Sequence, residues 1–527
     1  MSIQSQILPA LDGIFSSNQI LSEDVPKLAY IKREIARLSG EDKKSFAEYL
    51  LSTPLPQDNL IGLYIYLFDC FQDARFLEKS LECLPARLTV PEFYEVYWNF
   101  TQQLFSSTSG SKMVVDTLRD LFEKTADSLK QFLETRGIMK RNYPLAEPRK
   151  IAILSPQILT MRHSPTREAF SLSLHLEKYH GCECYIINTN AMHYKGINTL
   201  NTVSPPEFNV NQSLTGGQKV QVNYMDFESD VSIFSFPQGA MTTQKVASIV
   251  DTINQLGCDA VISHGDNLMV MESLYRYLPS LFATTGAVVP FNHCDAYFVP
   301  KDLFDDAAKA VAQKYKHDNF MLESMLVTPE GVSETPANRA DYSLEESDYV
   351  YLIVGTRLHR EVNREFADIC QQLLDKVPNG RILLAGTPEM LISEVFDKAY
   401  IDDKRVQNIG FQNDLPAICA ISDCYLNPAR AGGGTSSQTA IINGMAVVTL
   451  DKGHISAIVP ESKHCSDWNG YIDYAARLAR EPSLQASEVV QLKQHYYENL
   501  DAKSQVDSIY KMLCHVASDE FVFEHME

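Results

Sequence analysis

The stretch Asn427-Pro428-Ala429-Arg430-Ala431-Gly432-Gly433-Gly434-Thr435-Ser436-Ser437-Gln438-Thr439 joins a short apolar run, 424–426, to a helical pattern that closes at Gly444. A second apolar run, MAVVTL (445–450), follows directly. Strand, loop, helix and strand in that order make the smallest unit of a parallel α/β sheet. Three consecutive glycines at a strand's carboxyl end let the backbone come close to a ligand. The helix behind them offers unpaired N–H groups and a positive dipole end, and together these hold phosphate. Thr435 and Ser436 add hydroxyl donors or cap the helix. A capped helix behind an irregular loop has the same outline but does not need three glycines. The loop is not a Walker A motif, because no Gly-Lys-Ser/Thr follows. Nor is it a dinucleotide fingerprint: Gly432 and Gly434 give GxG, but position 437 is serine.

The alternation extends outward from this loop. Strand-like runs at 349–354, 381–385 and 406–409 precede it, with a helix over 361–376 that places Val362, Phe366, Ile369 and Leu373 on one face. An earlier set has strands at 151–155, 183–188, 231–236, 259–264 and 297–300 and helices at 164–178 and 244–256. A polar stretch around 335–348 separates the two sets. Before the linker-like YPLAEPRK (143–150) the spacing is helical, at 28–38, 46–51, 60–71, 93–105 and 114–132, with no fixed-period repeat. Two successive α/β halves bind ligands at the carboxyl ends of their strands, in the cleft between them.

Two more loops fall at such ends. Gly355-Thr356-Arg357-Leu358-His359-Arg360 closes the first strand of the second set. Arg357 and Arg360 suit a diphosphate through forked hydrogen bonds, whereas solvated cations at a helix start would oppose its dipole. Met161-Arg162-His163-Ser164-Pro165-Thr166 closes the first strand of the earlier set, with Ser164 expected as N-cap and Pro165 at the first helical position. His163 then projects just ahead of a helix, where it either accepts a proton, donates a hydrogen bond to phosphate, or serves structure alone. His264 and Asp266 follow another strand and are acceptor-side candidates, although a turn with a capping aspartate explains them equally. Residues 284–286 are a further weak candidate; Glu389 and Gln412–Asn413 follow strands of the second set, and backbone groups near Gln412 suit a nucleobase edge.

The 527 residues, 45% hydrophobic, allow two to three domains. With 46 basic and 67 acidic residues the formal charge is −21, which argues against nucleic acid or an anionic membrane as partner. Eleven cysteines include no CxxC pair, and many sit among apolar residues. Buried thiols in a reducing cytoplasm are expected, not a zinc site or a disulfide framework. The N-terminus lacks the pattern of a signal peptide. The most apolar run, 60–71, is too short to span a bilayer. A cytoplasmic protein with no transmembrane segment is the expectation.

These loops resemble those of GT-B glycosyltransferases, and most of all the superfamily of the O-linked N-acetylglucosamine transferase and the bacterial cytoplasmic N-glycosyltransferases. IAILSPQILTMRHSPT (151–166) is similar to the family's first strand and loop, with its functional histidine matched by His163. GTRLHRE (355–361) stands at the diphosphate loop, with Arg360 at the family's lysine position. GGGTSSQTAIINGMAVVTL (432–450) resembles the loop, helix and strand, with Thr435 and Ser436 on the paired threonines. Thr439 departs from the pattern: it stands where the superfamily has an aspartate contacting ribose.

The resemblance implies an all-helical domain (1–145), a first Rossmann-like domain on the acceptor side (146–345), and a second (346–527) that carries the donor site and the C-terminal helices. It implies transfer of a hexose from a nucleotide sugar, foremost a UDP-sugar, to a protein or glycan, with no metal and no cofactor. His163 is then catalytic. Arg357, Arg360, Gln412, Gly432, Gly433, Gly434, Thr435, Ser436 and Thr439 bind the donor. A homo- or hetero-oligomer is compatible with this reading. A GT-B nucleotide-sugar epimerase and a degenerate GT-B protein that stabilises a catalytic partner stay open, the second because of Thr439. A glycogen-type phosphorylase would need a lysine-bound pyridoxal phosphate, and no lysine stands out for it.

Overall fold

The computed structural model describes the chain except residues 1–2, 17–19, 54, 56–58, 106–111, 138–146, 162, 193–212, 225–226, 266, 276, 286–288, 302–303, 324–327, 334, 387–391, 431, 452, 454, 457 and 519–527, and except the side chains of 3–6, 105, 224, 323 and 360. Helices come first: α1 (Ile3–Phe15), α2 (Val25–Ala36), α3 (Gly40–Ser52), α4 (Leu60–Phe71), α5 (Ala74–Glu82), α6 (Val90–Phe105) and α7 (Lys112–Thr135). Local chemistry sets their limits. Asn59 caps α4 by accepting from the Gly62 N–H at 3.3 Å, and Asp73 caps α5 through the Arg75 N–H. Their apolar faces bury Phe46, Phe68, Phe76, Phe93, Trp98 and Phe122. That core continues without a break into Met269, Met271 and Phe291 of the next domain. Polar contacts fix the junction: Trp98 Nε1 donates to Ala191 O at 2.8 Å, the Met269 N–H to Tyr94 OH at 2.9 Å, and Arg119 Nη2 to Val289 O at 2.9 Å.

The first α/β half contains β1 (Lys150–Ser155), α8 (Ser164–His180), β2 (Glu183–Asn188), β3 (Gly216–Tyr224), β4 (Phe227–Ser235), α9 (Thr243–Leu256), β5 (Ala260–Gly265), α10 (Met269–Leu274), β6 (Ser280–Thr284), β7 (Ala296–Pro300), α11 (Asp306–Lys314) and β8 (Phe320–Glu323). Its sheet runs β3-β4-β2-β1-β5-β6-β7-β8, parallel except for the β3/β4 pair. Strands β3, β6 and β8 are additional to those expected from the sequence. The inner run Ile151–Leu154 is wholly buried, as a strand covered on both faces requires.

The second half contains β9 (Tyr349–Val354), α12 (Leu358–Glu361), α13 (Arg364–Lys376), β10 (Gly380–Ala385), α14 (Lys398–Asp402), β11 (Val406–Gly410), α15 (Leu415–Cys419), β12 (Cys424–Leu426), α16 (Gly434–Ile442), β13 (Ala446–Val448), α17 (Trp468–Arg480) and α18 (Pro482–Asn499). Its parallel sheet runs β11-β10-β9-β12-β13. The helix expected over 361–376 is interrupted. Asn363 is an N-cap, accepting from the Phe366 N–H at 2.9 Å, so Arg357 and Arg360 lie around a separate short turn.

The last helix, α19 (Ala502–Val516), was expected with the second half. It packs on the first: Val506, Ile509, Leu513 and Val516 join the core that holds Ile151, Ile153 and Phe298. Among the described residues no helix is long and apolar enough to cross a membrane. All eleven cysteines are free, and all but Cys83 and Cys514 are buried.

In both sheets the strand order reverses beside the first strand of the half. β1 lies between β2 and β5, and β9 between β10 and β12. The loops after β1, β9 and β12 therefore border the two topological switch points, where open α/β sheets leave a crevice.

Candidate functional site

A cavity of about 590 Å³ lies between the halves, walled by the loops after those strands. On the second half, β12 delivers the chain to Asn427, whose Nδ2 donates to Thr449 Oγ1 at 3.0 Å. The chain then turns through Gly432 and Gly433 at φ 92° and 87°, backbone that glycine adopts at little cost, and α16 starts at Gly434. Arg430 folds beneath this loop, with 5% of its side chain exposed. Its Nη2 donates to Val354 O at 2.6 Å and to Tyr425 OH at 2.9 Å. Tyr425 OH lies 2.8 Å from Ser436 Oγ, which donates to Gly433 O at 3.0 Å. This relay ties the glycine loop to the sheet. It also commits Ser436 to the loop's own structure.

Glu361 sits between two arginines. Its Oε2 accepts from Arg430 Nη1 at 2.5 Å, and its Oε1 accepts from Arg357 Nε at 3.0 Å. Two guanidinium groups around one carboxylate leave one net positive charge beside the cavity. Arg430 is the buried member, whereas 33% of the Arg357 side chain is exposed, and a carboxylate shared in this way is a firm means of fixing geometry. The space is measured out: a side chain at Gly355 would overlap Arg430 Nη1, and one at Gly433 would come within 2.9 Å of Arg430 Nη2.

On the first half, His163 is the N-cap of α8, and Ser164, expected in that role, is the first helical residue. His163 Nδ1 lies 2.9 Å from Thr166 Oγ1, and that oxygen accepts from the Leu159 N–H at 2.9 Å. Burial, with Arg167 nearby, pulls the His163 imidazole down to about 4, so it is neutral at neutral pH. Ser164 Oγ donates to Glu168 Oε1 at 2.5 Å and touches Thr435 Oγ1 of the opposite half. Burial pushes the Glu168 carboxyl up to about 7, with Ser164 and Arg167 opposing the rise.

The sequence candidates divide by position. His163, Arg357, Gln412, Gly432, Gly433, Gly434, Thr435 and Ser436 line the cavity. The Gln412 side chain is engaged, donating to Ile409 O at 2.5 Å and accepting from Tyr342 OH at 3.3 Å. Thr439 is off the wall and wholly buried; its hydroxyl donates to Thr435 O at 2.9 Å and accepts from the Glu330 N–H at 3.0 Å. Its expected place at a ribose is corrected accordingly, because both hydrogen-bonding roles of the hydroxyl are internal. His264 is also wholly buried, with Nε2 3.0 Å from Pro165 O, so it supports the start of α8 and does not face an acceptor. Asp266, Glu389 and the Arg360 side chain lie outside the described residues.

Arg430, Glu361, Ser164 and Glu168 were not among the sequence candidates. Arg430 stands two residues before the glycines and offered a signal by position. Glu361 and Glu168 offered none: each has a partner four residues away, an ordinary helix spacing, and the contacts that set them apart, to Arg430 and His264, come from distant loops.

No family model matches this chain. No curated protein matches it in sequence. Among solved structures, a mutant of the Thermobaculum terrenum O-GlcNAc transferase superposes on 87% of this chain and 85% of its own, with 13% identity and a TM-score of 0.50. WaaG, a glycosyltransferase involved in lipopolysaccharide biosynthesis, covers 69% of this chain and 99% of its own at 14% identity and a TM-score of 0.40. A mutant of TarM from S. aureus, in complex with Fondaparinux, alpha-GlcNAc-glycerol and UDP, covers 69% and 99% at 10% identity and a TM-score of 0.43. With two Rossmann-like sheets facing a cleft behind a helical domain, the fold is GT-B.

Proposed function

We propose that this chain transfers a sugar from a nucleoside diphosphate donor, foremost a UDP-sugar, to a protein or glycan acceptor without a metal ion. One observation carries the reading: the glycine loop, the α16 N-terminus and the Arg357–Glu361–Arg430 triad converge at a switch point and face the cavity. Backbone N–H groups and one net positive charge suit a diphosphate. When the bond between the anomeric carbon and the phosphate oxygen breaks, the electron pair goes to the diphosphate. Fixed donors there stabilise the developing charge with no reorganisation. The sugar lies between the loop and His163, and the acceptor enters from the first half. The fold's likeness to an O-GlcNAc transferase is consistent with this assignment.

The test is turnover. Incubation with UDP-, GDP- and ADP-sugars, with candidate peptides or with water as acceptor, is expected to release the nucleoside diphosphate from one of them. A second reading, a GT-B protein that binds a nucleotide but serves a catalytic partner, is favoured by one feature: Thr439 offers no carboxylate to a ribose. Binding with no release from any donor would select it; neither binding nor release would overturn both.

A further inference from the structure

Resting on that reading, we infer that Glu168 is the group that takes the acceptor's proton, and that His163 acts as a hydrogen-bond donor. Thr166 is wholly buried. Its hydroxyl oxygen accepts from the Leu159 N–H, and among the described residues the acceptor within reach of its hydrogen is His163 Nδ1. Buried hydroxyl hydrogens find acceptors. Thr166 therefore donates to Nδ1, and the imidazole proton sits on Nε2. A histidine in that tautomer gives a hydrogen bond through Nε2 and has no lone pair there to receive a proton.

Glu168 fills the vacant role. It lines the same cavity on the next turn of α8. Ser164 occupies Oε1, whereas Oε2 has no hydrogen bond among the described residues, its nearest basic neighbour being His264 Nε2 at 3.8 Å. In the step, the acceptor X–H bond breaks and its proton goes to Glu168 Oε2. The X–carbon bond forms at the anomeric centre. The bond from that carbon to the phosphate oxygen breaks, and its electron pair leaves with the nucleoside diphosphate. Glu168 then returns the proton to solvent.

The two assignments predict different pH profiles. A proton acceptor loses activity as pH falls through its own pKa, which is about 7 for Glu168 and about 4 for His163. Among the described residues the charged and titratable groups beside Glu168 are Arg167 on its own helix and His264 on β5, with His163 lining the same cavity and Glu330 of the inter-domain segment 3.8 Å from Arg167. Both histidines are held neutral by burial at neutral pH, His264 also at about 4.

The experiment measures hydrolysis of the accepted nucleotide sugar, with water as acceptor, from pH 4 to 9 in wild type, Glu168→Gln, Glu168→Asp and His163→Asn, beside binding of the free nucleoside diphosphate. Expected are a rising limb near pH 7 in wild type and its loss in Glu168→Gln with kcat about 10²–10⁴-fold lower. Diphosphate binding should be kept, and Glu168→Asp should recover part of the activity. His163→Asn should retain the limb near 7. Wild-type turnover in Glu168→Gln, or a limb that disappears only in His163→Asn, overturns the assignment. Failure of wild type to bind any nucleoside diphosphate would instead reject the donor site itself.

Discussion

Glu168 is a carboxyl held where ionisation is costly, and that cost is measurable in stability as well as in rate. Its pKa is raised from the ordinary 4.5 to about 7. Between those values the folded chain binds more protons than the unfolded chain, so this group's contribution to stability falls as pH rises. The penalty is absent below about pH 4.5 and complete above about 7, where it is on the order of 3 kcal/mol. Glu168→Gln removes the charge and keeps the shape. In urea unfolding at pH 8 the variant is expected to be more stable than wild type by up to that amount. The difference should vanish toward pH 4.5, and a pH-independent difference would show that the carboxyl is not held near 7. The same variant also tests the proton-transfer role without the risk of a collapsed fold.

At the scale of elements, sequence periodicity located most of the sheet framework. The runs at 151–155, 349–354 and 424–426 could be read because strands buried on both faces are continuous apolar stretches bounded by turn residues. Strand β3 (Gly216–Tyr224), rich in Gln, Lys and Asn on an exposed edge, has no such pattern. α19 has a clear amphipathic face, but periodicity cannot say against which half that face packs. Tertiary placement decided it, and the consequence can be tested. Leu513 is wholly buried in the first-half core. Leu513→Ala is expected to cost about 2–5 kcal/mol. In a Trp468→Phe background the remaining indole, Trp98, lies in the core shared by the helical domain and the first half. Its fluorescence should report melting several degrees lower than the parent; an unchanged Trp98 transition would argue that α19 does not support the first half.

At the scale of the molecule, the site is a product of chain crossings. His163, Gly355 and Gly432 are 77 to 269 residues apart along the chain, yet strand order brings all three loops to one cavity. This convergence was legible, because each loop follows a predicted strand. The Arg357–Glu361–Arg430 triad was not, since a salt bridge spanning 69 positions leaves no local pattern. Nor was the internal use of Thr439, whose partner Glu330 lies 109 positions away. The segment around Glu330–Ser333 is thereby bonded to Thr439 and to the C-cap Asn443 of α16, at the end of that helix away from the glycine loop. The helical domain adds a fixed platform on the other side, its core continuous with that of the first half.

On the proposed function, the cavity between the halves binds a nucleoside diphosphate against the glycine loop and Arg357. Titration calorimetry of UDP, and in turn GDP and ADP, into wild type and Arg357→Ala tests it most directly. One of the three should bind at a single site per chain. The Arg357→Ala variant should lose about 1.5–3 kcal/mol, a weakening of roughly tenfold or more in Kd. No binding by any of the three, or equal affinity in Arg357→Ala, would rule out a diphosphate site at Arg357.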